Sequence, residues 1–272
     1  MMQTPKEILY SVMSGGERKT ALPLPKMLIS GILAGAFIAF GAQAANMVAH
    51  STENAGLAKM LAGCIFPVGL MLVVLLGMEL FTGNCLFSMG LLNGTLRPSG
   101  VARNLIGVYL SNMIGAALVA ALVFGSGQLD TGTLGAYTIK VAMGKVAITP
   151  LRAVCSGILC NLLVCLGVLM AGAAKDAVGK IWAIFFPILA FVTGGFEHCV
   201  ANGFYVPAGI FAASNPAYAA KACELYGYTA EQISGLGFAA AVPSFVFVTI
   251  GNILGGALLG AAFWYIHREK HK

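Results

Sequence analysis

Charge is scarce in this sequence: Asp, Glu, Lys and Arg make up 10% of 272 residues, against roughly 25% in an average soluble domain. A soluble chain of this length needs far more polar side chains to cover its core. The scarcity excludes a soluble enzyme and a disordered chain. A disulfide framework is missing too. The seven cysteines are odd in number, form no Cys-x-x-Cys and mostly sit in apolar runs. Cys155, Cys160 and Cys165 are five apart, so on a helix successive members turn through about 140° and do not converge on one metal. We read them as small buried apolar side chains and expect no metal and no cofactor. HExxH, G-x-S-x-G, a P-loop and a dinucleotide fingerprint after a strand are all absent. The net charge of +6 fits membrane orientation better than a nucleic-acid partner, and none is expected.

What is present is apolar and small. Hydrophobic residues make up 58% and glycine 35 of 272, with a mean hydropathy of +0.86. That profile belongs to polytopic helical membrane proteins, in which small residues let helices approach closely. Charge-free runs give six spans, each judged against the ~20 residues that cross a bilayer core. They are Met27–Val48, Met60–Leu92, Leu105–Gly125, Ala153–Ala174, Ile181–Ala213 and Gly237–Ile266. Ala42-Gln43-Ala44 resembles a signal-peptidase site, but the basic leader is long and the run is of full span length. We read it as a retained span. Residues 1–26 then form a cytoplasmic N-terminal segment, 27–266 the membrane domain and 267–272 a cytoplasmic tail.

The two halves resemble each other. Ser30-Gly31-Ile32-Leu33-Ala34 matches Ser156-Gly157-Ile158-Leu159-Cys160. Glu79-Leu80-Phe81-Thr82-Gly83-Asn84 matches Glu197-His198-Cys199-Val200-Ala201-Asn202. Asn112-Met113-Ile114-Gly115 matches Asn252-Ile253-Leu254-Gly255. Three matches in one order indicate a duplication, about 27–127 and 150–266. Three spans per half is an odd number, so the halves cross in opposite senses, an inverted repeat common in channels and transporters. Eleven of the 16 Lys and Arg residues fall on the side of the two termini, which places both termini in the cytoplasm. Lys140, Lys145 and Arg152 form a basic cluster on the other side. It is either incidental or an attractor for anions.

Spans 2 and 5 are about 33 residues long and carry polar interruptions, Leu80–Asn84 and Glu197–Gly203. Matching interruptions in inverted halves point to a pathway, and free N–H groups at broken helix ends suit an anion. Unwound backbone survives at membrane depth only when buried in protein or lining a wet path. His198 is the histidine clearly inside a span, and an intramembrane ionisable group marks function by default. Phe191 lies seven residues before it, on the same helical face, as a candidate constriction. Glu79 and Glu197 would repel an anion, so we assign them to hold the broken ends together. Asn84 and Asn202 satisfy broken backbone. Asn161 and Asn252 are either interhelical glue or pore groups.

These residues resemble the formate/nitrite transporters. Gly77-Met78-Glu79-Leu80-Phe81-Thr82-Gly83 is similar to the family's first signature, with Met78 where a smaller residue is usual. Gly157–Leu166 is similar to the second, followed by Gly167 where Ala is usual. The resemblance implies an aquaporin-like protomer with helices 2 and 5 broken, one pore per protomer, and a homopentamer in the cell membrane. It implies passage of small monovalent anions of weak acids, of the formate, nitrite or hydrosulfide class. It also implies that Thr82 and His198 face each other in the pore, with Gly83 in the break. Lys145, in a stretch read as a loop, would concentrate anions, and Asn161 would be a polar pore-side group. Phe66, Leu80, Phe81 and Phe191 would form apolar constrictions. A neutral-solute channel of the aquaporin type shares three-span repeats, but paired Asn-Pro-Ala turns are missing here. A membrane-embedded enzyme needs at least two reactive side chains on one face, and one is found.

Overall fold

The computed structural model describes residues 2–269; Lys270, His271 and Lys272 of the expected tail lie outside it. The described residues are helical, with no strand among them. In chain order the helices are α1 (Pro5–Thr20), α2 (Leu24–Ala49), α3 (Ala55–Ile65), α4 (Val68–Leu75), α5 (Phe81–Asn84), α6 (Ser88–Leu92) and α7 (Pro98–Gly125). They continue as α8 (Leu134–Val146), α9 (Pro150–Ala173), α10 (Ala177–Gly194), α11 (Cys199–Ala213), α12 (Pro216–Tyr226), α13 (Ala230–Ser234) and α14 (Phe238–His267). Six stretches are long and apolar enough to cross a membrane: α2, residues 55–75, α7, α9, α10 and α14.

Local chemistry sets the ends. Proline stands in the first turn of α2, α7 and α9, where its missing N–H costs nothing. α7 begins seven residues before the expected span. Arg103 lies within it and bends its guanidinium back to the carbonyls of Thr20 and Leu22, so a charge that seemed to bound the span is absorbed by it. α1 starts at a capping box: Thr4 Oγ1 accepts from the Glu7 N–H, and Glu7 Oε2 accepts from the Thr4 N–H at 2.7 Å. Its Ile8, Leu9 and Met13 are buried with Leu86, Met89 and Leu169. The leader is therefore a docked amphipathic helix.

Two helix pairs, α2 with α7 and α9 with α14, form the frame. Both contacts are close backbone approaches. A Cβ on Gly115 would lie 1.9 Å from the Ile32 carbonyl oxygen, and one on Gly255 would lie 2.4 Å from that of Ile158. Glycine is the one residue that fits there. The outer face of α7 carries Ile106, Leu110, Ile114, Leu118 and Leu122, each more than half exposed. Spaced four apart, they make one apolar stripe, the surface a lipid or a neighbouring protomer covers.

The stretch 81–84, expected as an interruption, is helical, and so is 199–203. The non-helical residues lie just upstream, at 76–80 and 195–198. Gly77 (φ 68°) and Gly195 (φ 71°) stop the preceding helices in the left-handed region. Met78 N–H donates to the Val73 carbonyl and Phe196 N–H to that of Phe191, the six-to-one bond of a Schellman stop. Glu79, Glu197 and His198 therefore lie in the gaps, and Thr82, Asn84 and Asn202 in the first turn after each, where backbone N–H groups lack intrahelical partners. Lys145 is also placed differently from expectation. Its stretch is helix α8, not a loop, and the lysine sits in the last turn, where a cation suits the helix C-terminus.

Candidate functional site

Each gap is tied by the same set of side chains. The Glu79 N–H donates to Ser30 Oγ at 2.9 Å, and the Glu197 N–H to Ser156 Oγ at 3.0 Å. Asn112 accepts from the Phe81 N–H and donates to the carbonyls of Gly31 and Glu79. Asn252 does likewise for the Cys199 N–H and the carbonyls of Gly157 and Glu197. Both asparagines are completely buried. They supply the partners that an unwound backbone lacks at membrane depth. Replacing Asn252 by leucine strands a buried N–H and carbonyl, each worth about 1–3 kcal/mol. We expect Asn252→Leu to sharply lower the yield of monodisperse protein in detergent. A wild-type yield and melting temperature would contradict this.

The glutamates point into these ties. Glu79 Oε2 accepts from Asn84 Nδ2 at 2.8 Å and Asn104 Nδ2 at 3.4 Å, and Lys19 Nζ lies 3.3 Å from Oε1. Glu197 Oε2 accepts from Asn202 Nδ2 at 2.9 Å, and Oε1 pairs with Lys145 Nζ at 2.7 Å. Lys145 also lies over the Tyr205 ring, 5.5 Å from its centroid.

Between the two ties lies one buried polar pair. His198 Nε2 and Thr82 Oγ1 are 3.0 Å apart. His198 is the N-cap of α11, and its Nδ1 accepts the Ala201 N–H at 3.0 Å. With Nδ1 an acceptor, the neutral ring carries its proton on Nε2 and donates it to Thr82. Thr82 is held in turn through its carbonyl, which accepts from Asn161 Nδ2 and Cys165 Sγ. The Asn161 amide also donates to the Asn252 carbonyl at 2.6 Å. Asn161, expected at the pore side, is thus spent on backbone.

Two cavities flank the pair. One, of about 320 Å³, is lined by Asn46, Phe66, Lys145, Phe191, His198 and Tyr205, among others. The second, of about 220 Å³, is lined by Lys19, Leu70, Leu80, Gly83 and Val168. Lys19 precedes α2, and Ala45 and Ala49 at the far end of α2 line the other cavity. The cavities therefore open at opposite ends of one 26-residue span. Phe66 and Phe191 meet edge to face, centroids 5.3 Å apart, and Phe191 lies 5.9 Å from the His198 ring. Leu80 lines the Lys19 cavity. Phe81 packs its ring on Tyr109 instead, at 5.0 Å.

Helical spacing paired Phe191 with His198 and the family resemblance added Thr82 and Phe66, and in the structure the four lie together. Sequence reasoning passed over Lys19, Ser30, Ser156, Asn104, Tyr205 and Asn46. Ser30 and Ser156 stood in the matched repeat and carried a usable signal. Lys19 was counted only as an orienting charge, because its partner Asn84 is 65 residues away.

Apolar spans surrounding two cavities, one lined by His198 and the other by Gly83 next to its partner Thr82, define a polytopic membrane channel or transporter. The chain belongs to the formate/nitrite transporter family, whose model matches residues 6–266. It is 38% identical over 289 aligned positions to a probable formate transporter of Methanothermobacter thermautotrophicus, covering 98% of each chain. It is 35% identical over 270 positions to the formate channel FocA of Escherichia coli (strain K12), covering 95% of this chain and 92% of that one. Among solved structures, an FNT family ion channel superposes with a TM-score of 0.81 at 26% identity, covering 95% of this chain and 98% of its own. A pentameric formate channel with formate bound gives 0.79 at 29% identity, covering 90% and 98%. These relatives are transporters and channels.

Proposed function

We propose that the protein is a channel for small monovalent anions of weak acids, formate first among them. The observation that carries this reading is the Thr82–His198 pair set between two lysine-bearing cavities. An anion is drawn into the wide cavity by Lys145 and met at the narrow point by the His198 Nε2–H, which turns from Thr82 to the solute. A bare anion in an apolar pinch loses its hydration, and that donor offsets part of the loss. Phe66 and Phe191 form the constriction on the Lys145 side and Leu80 that on the Lys19 side.

The recurrence of Ser, Glu, Asn and Lys at both gaps supports an inverted repeat with broken second and fifth spans. The charge bias supports a cytoplasmic Lys19 cavity and an outward-facing Lys145 cavity in a cell membrane. The pentameric relative with formate bound supports a homopentamer with one pore per protomer. The test is light-scattering of proteoliposomes in sodium formate, nitrite and hydrosulfide against glycerol. Swelling in formate and none in glycerol is expected. Swelling in glycerol alone would replace the reading with a neutral-solute channel.

A further inference from the structure

The cavity on the Lys145 side carries a hydroxyl that the fold does not use. His198, Ala201, Asn202 and Tyr205 follow one another at helical spacing along a single face of α11, and all four line this cavity. Tyr205 therefore stands about 10 Å beyond the histidine along the helix axis, on the vestibule side. It is only partly buried. Its hydroxyl makes no hydrogen bond among the described residues, yet it is not one of the polar atoms sealed from solvent without a partner. A phenol that is neither partnered nor sealed is open to the cavity that its helix face lines.

A second donor comes from α8. Tyr137, Val141 and Lys145 recur every four residues on one face of that helix, and all three line the same cavity. Lys145 Nζ lies over the Tyr205 ring, 5.5 Å from its centroid. No hydrogen bond joins the two side chains, so each is free to turn to a third group. An ammonium has three N–H donors, and Glu197 Oε1 takes one. Lys145 makes no other hydrogen bond among the described residues. Tyr137 stands about 12 Å further out along α8 and carries Lys140 over its ring at 5.5 Å, so Tyr205 is the tyrosine at the inner end of the vestibule.

The opposite end shows that the fold does not demand this hydroxyl. Glu197 and Glu79 match in the two halves. The residue eight after Glu197 is Tyr205, and the residue eight after Glu79 is Phe87. Phe87 is buried with Leu96 and Val101, and no hydroxyl-bearing residue is among the described residues that line the Lys19 cavity. The phenol is an addition on one side of the pathway.

We propose that Tyr205 is a solute-binding residue, whose hydroxyl joins the Lys145 ammonium to hold a small two-oxygen anion in the vestibule before the Phe66–Phe191 pair. One anion oxygen accepts from Lys145 Nζ and the other from the phenol O–H. The charge-assisted bond to the lysine draws on N–H groups that Glu197 leaves over. The inference rests on the anion-channel reading and adds a station at which the anion is held before it meets His198.

The test uses the full-length protein in proteoliposomes, with sodium formate as the probe. Tyr205→Phe removes one oxygen and keeps the ring under Lys145. As the wild-type hydroxyl has no protein partner, the variant should assemble and melt like wild type in detergent. The half-saturating formate concentration should rise about tenfold, which is ~1.4 kcal/mol and the order of one hydrogen bond. Maximal flux per assembled oligomer should stay at the wild-type level, because the His198 donor is untouched. Wild-type half-saturation in Tyr205→Phe would overturn the station. A fall in maximal flux alone would also overturn it, and so would loss of assembly, which would make the hydroxyl structural. Wild-type flux that rises linearly with formate and never saturates would count against it equally, since a station that holds formate fills. Wild-type protein that passes no formate would instead remove the anion reading on which the station rests.

Discussion

His198→Phe should abolish formate flux while the protein still assembles. The ring at 198 lies 5.9 Å from Phe191, which meets Phe66 edge to face. A phenyl group there extends the apolar surface from the vestibule floor to Thr82 and removes the Nε2–H. With no donor left at the narrowest point, the cost of stripping water from an anion goes uncompensated. A loss of only ~2.7 kcal/mol is a hundredfold in rate, so we expect flux to fall by about that factor or more. The fold should survive. What α11 loses is its N-cap acceptor for the Ala201 N–H, worth about 0.5–2 kcal/mol. His198→Asn is the informative partner. Asparagine is a good N-cap residue, so its Oδ1 can take over that bond. Its shorter side chain leaves the Thr82 hydroxyl without the ring donor. We expect flux about tenfold below wild type in a normally assembled protein. Flux per assembled oligomer decides the matter. Wild-type flux in His198→Phe would remove the histidine from the pathway.

The spans were legible because four are charge-free apolar runs and the other two are interrupted only at the matched polar stretches, and burial in lipid leaves no other use for such runs. Their ends were less so. α7 was shortened in the reading by Arg103, whose hydrogen bonds reach back 81 and 83 residues to the chain before α2. The four helices outside the spans, α1, α8, α12 and α13, were not read as helices. In them polar and apolar residues mix at densities a hydropathy argument cannot separate from loop.

At the site, matched segments located both gaps but displaced each by a few residues. The eye went to Thr82, Asn84 and Asn202, which are helical, and to His198, which caps a helix, while Glu79 and Glu197 do lie in the gaps. The break itself is made by Gly77 and Gly195, two glycines in a chain with 35. Phe191 and His198 were paired by a seven-residue helical spacing. They do meet, although the helix between them stops at Gly194. The geometry that joins them is the turn at Gly195, which the spacing argument did not contain. Lys19 and Asn104 were illegible because a single polar residue acquires meaning only from its partner, and their partner Asn84 lies on another helix.

Lys145→Met should cost both stability and flux, and a second substitution should separate the two losses. The Lys145 side chain is 17% exposed and pairs at 2.7 Å with a Glu197 carboxylate that is 9% exposed. Without the lysine, that carboxylate keeps only the Asn202 amide at 2.9 Å among these partners. Breaking a fully buried pair costs about 3–5 kcal/mol, and the partial exposure of this lysine brings the expectation to about 2–4 kcal/mol. Lys145→Glu should be worse, because two carboxylates would then face each other. The double variant Lys145→Met with Glu197→Gln removes the stranded charge and keeps an acceptor for Asn202. Its melting temperature should return close to wild type. Its flux should not. The double variant removes one charge of each sign, so the net charge of the cavity is unchanged, but the solute loses the Lys145 ammonium as a hydrogen-bond donor, which Lys59 and Lys140 elsewhere in the lining do not replace. We expect formate flux at low ionic strength about tenfold below wild type, with a gap that changes little as salt rises. A double variant that is stable and conducts like wild type at low salt would show that Lys145 serves Glu197 and the fold, not the anion.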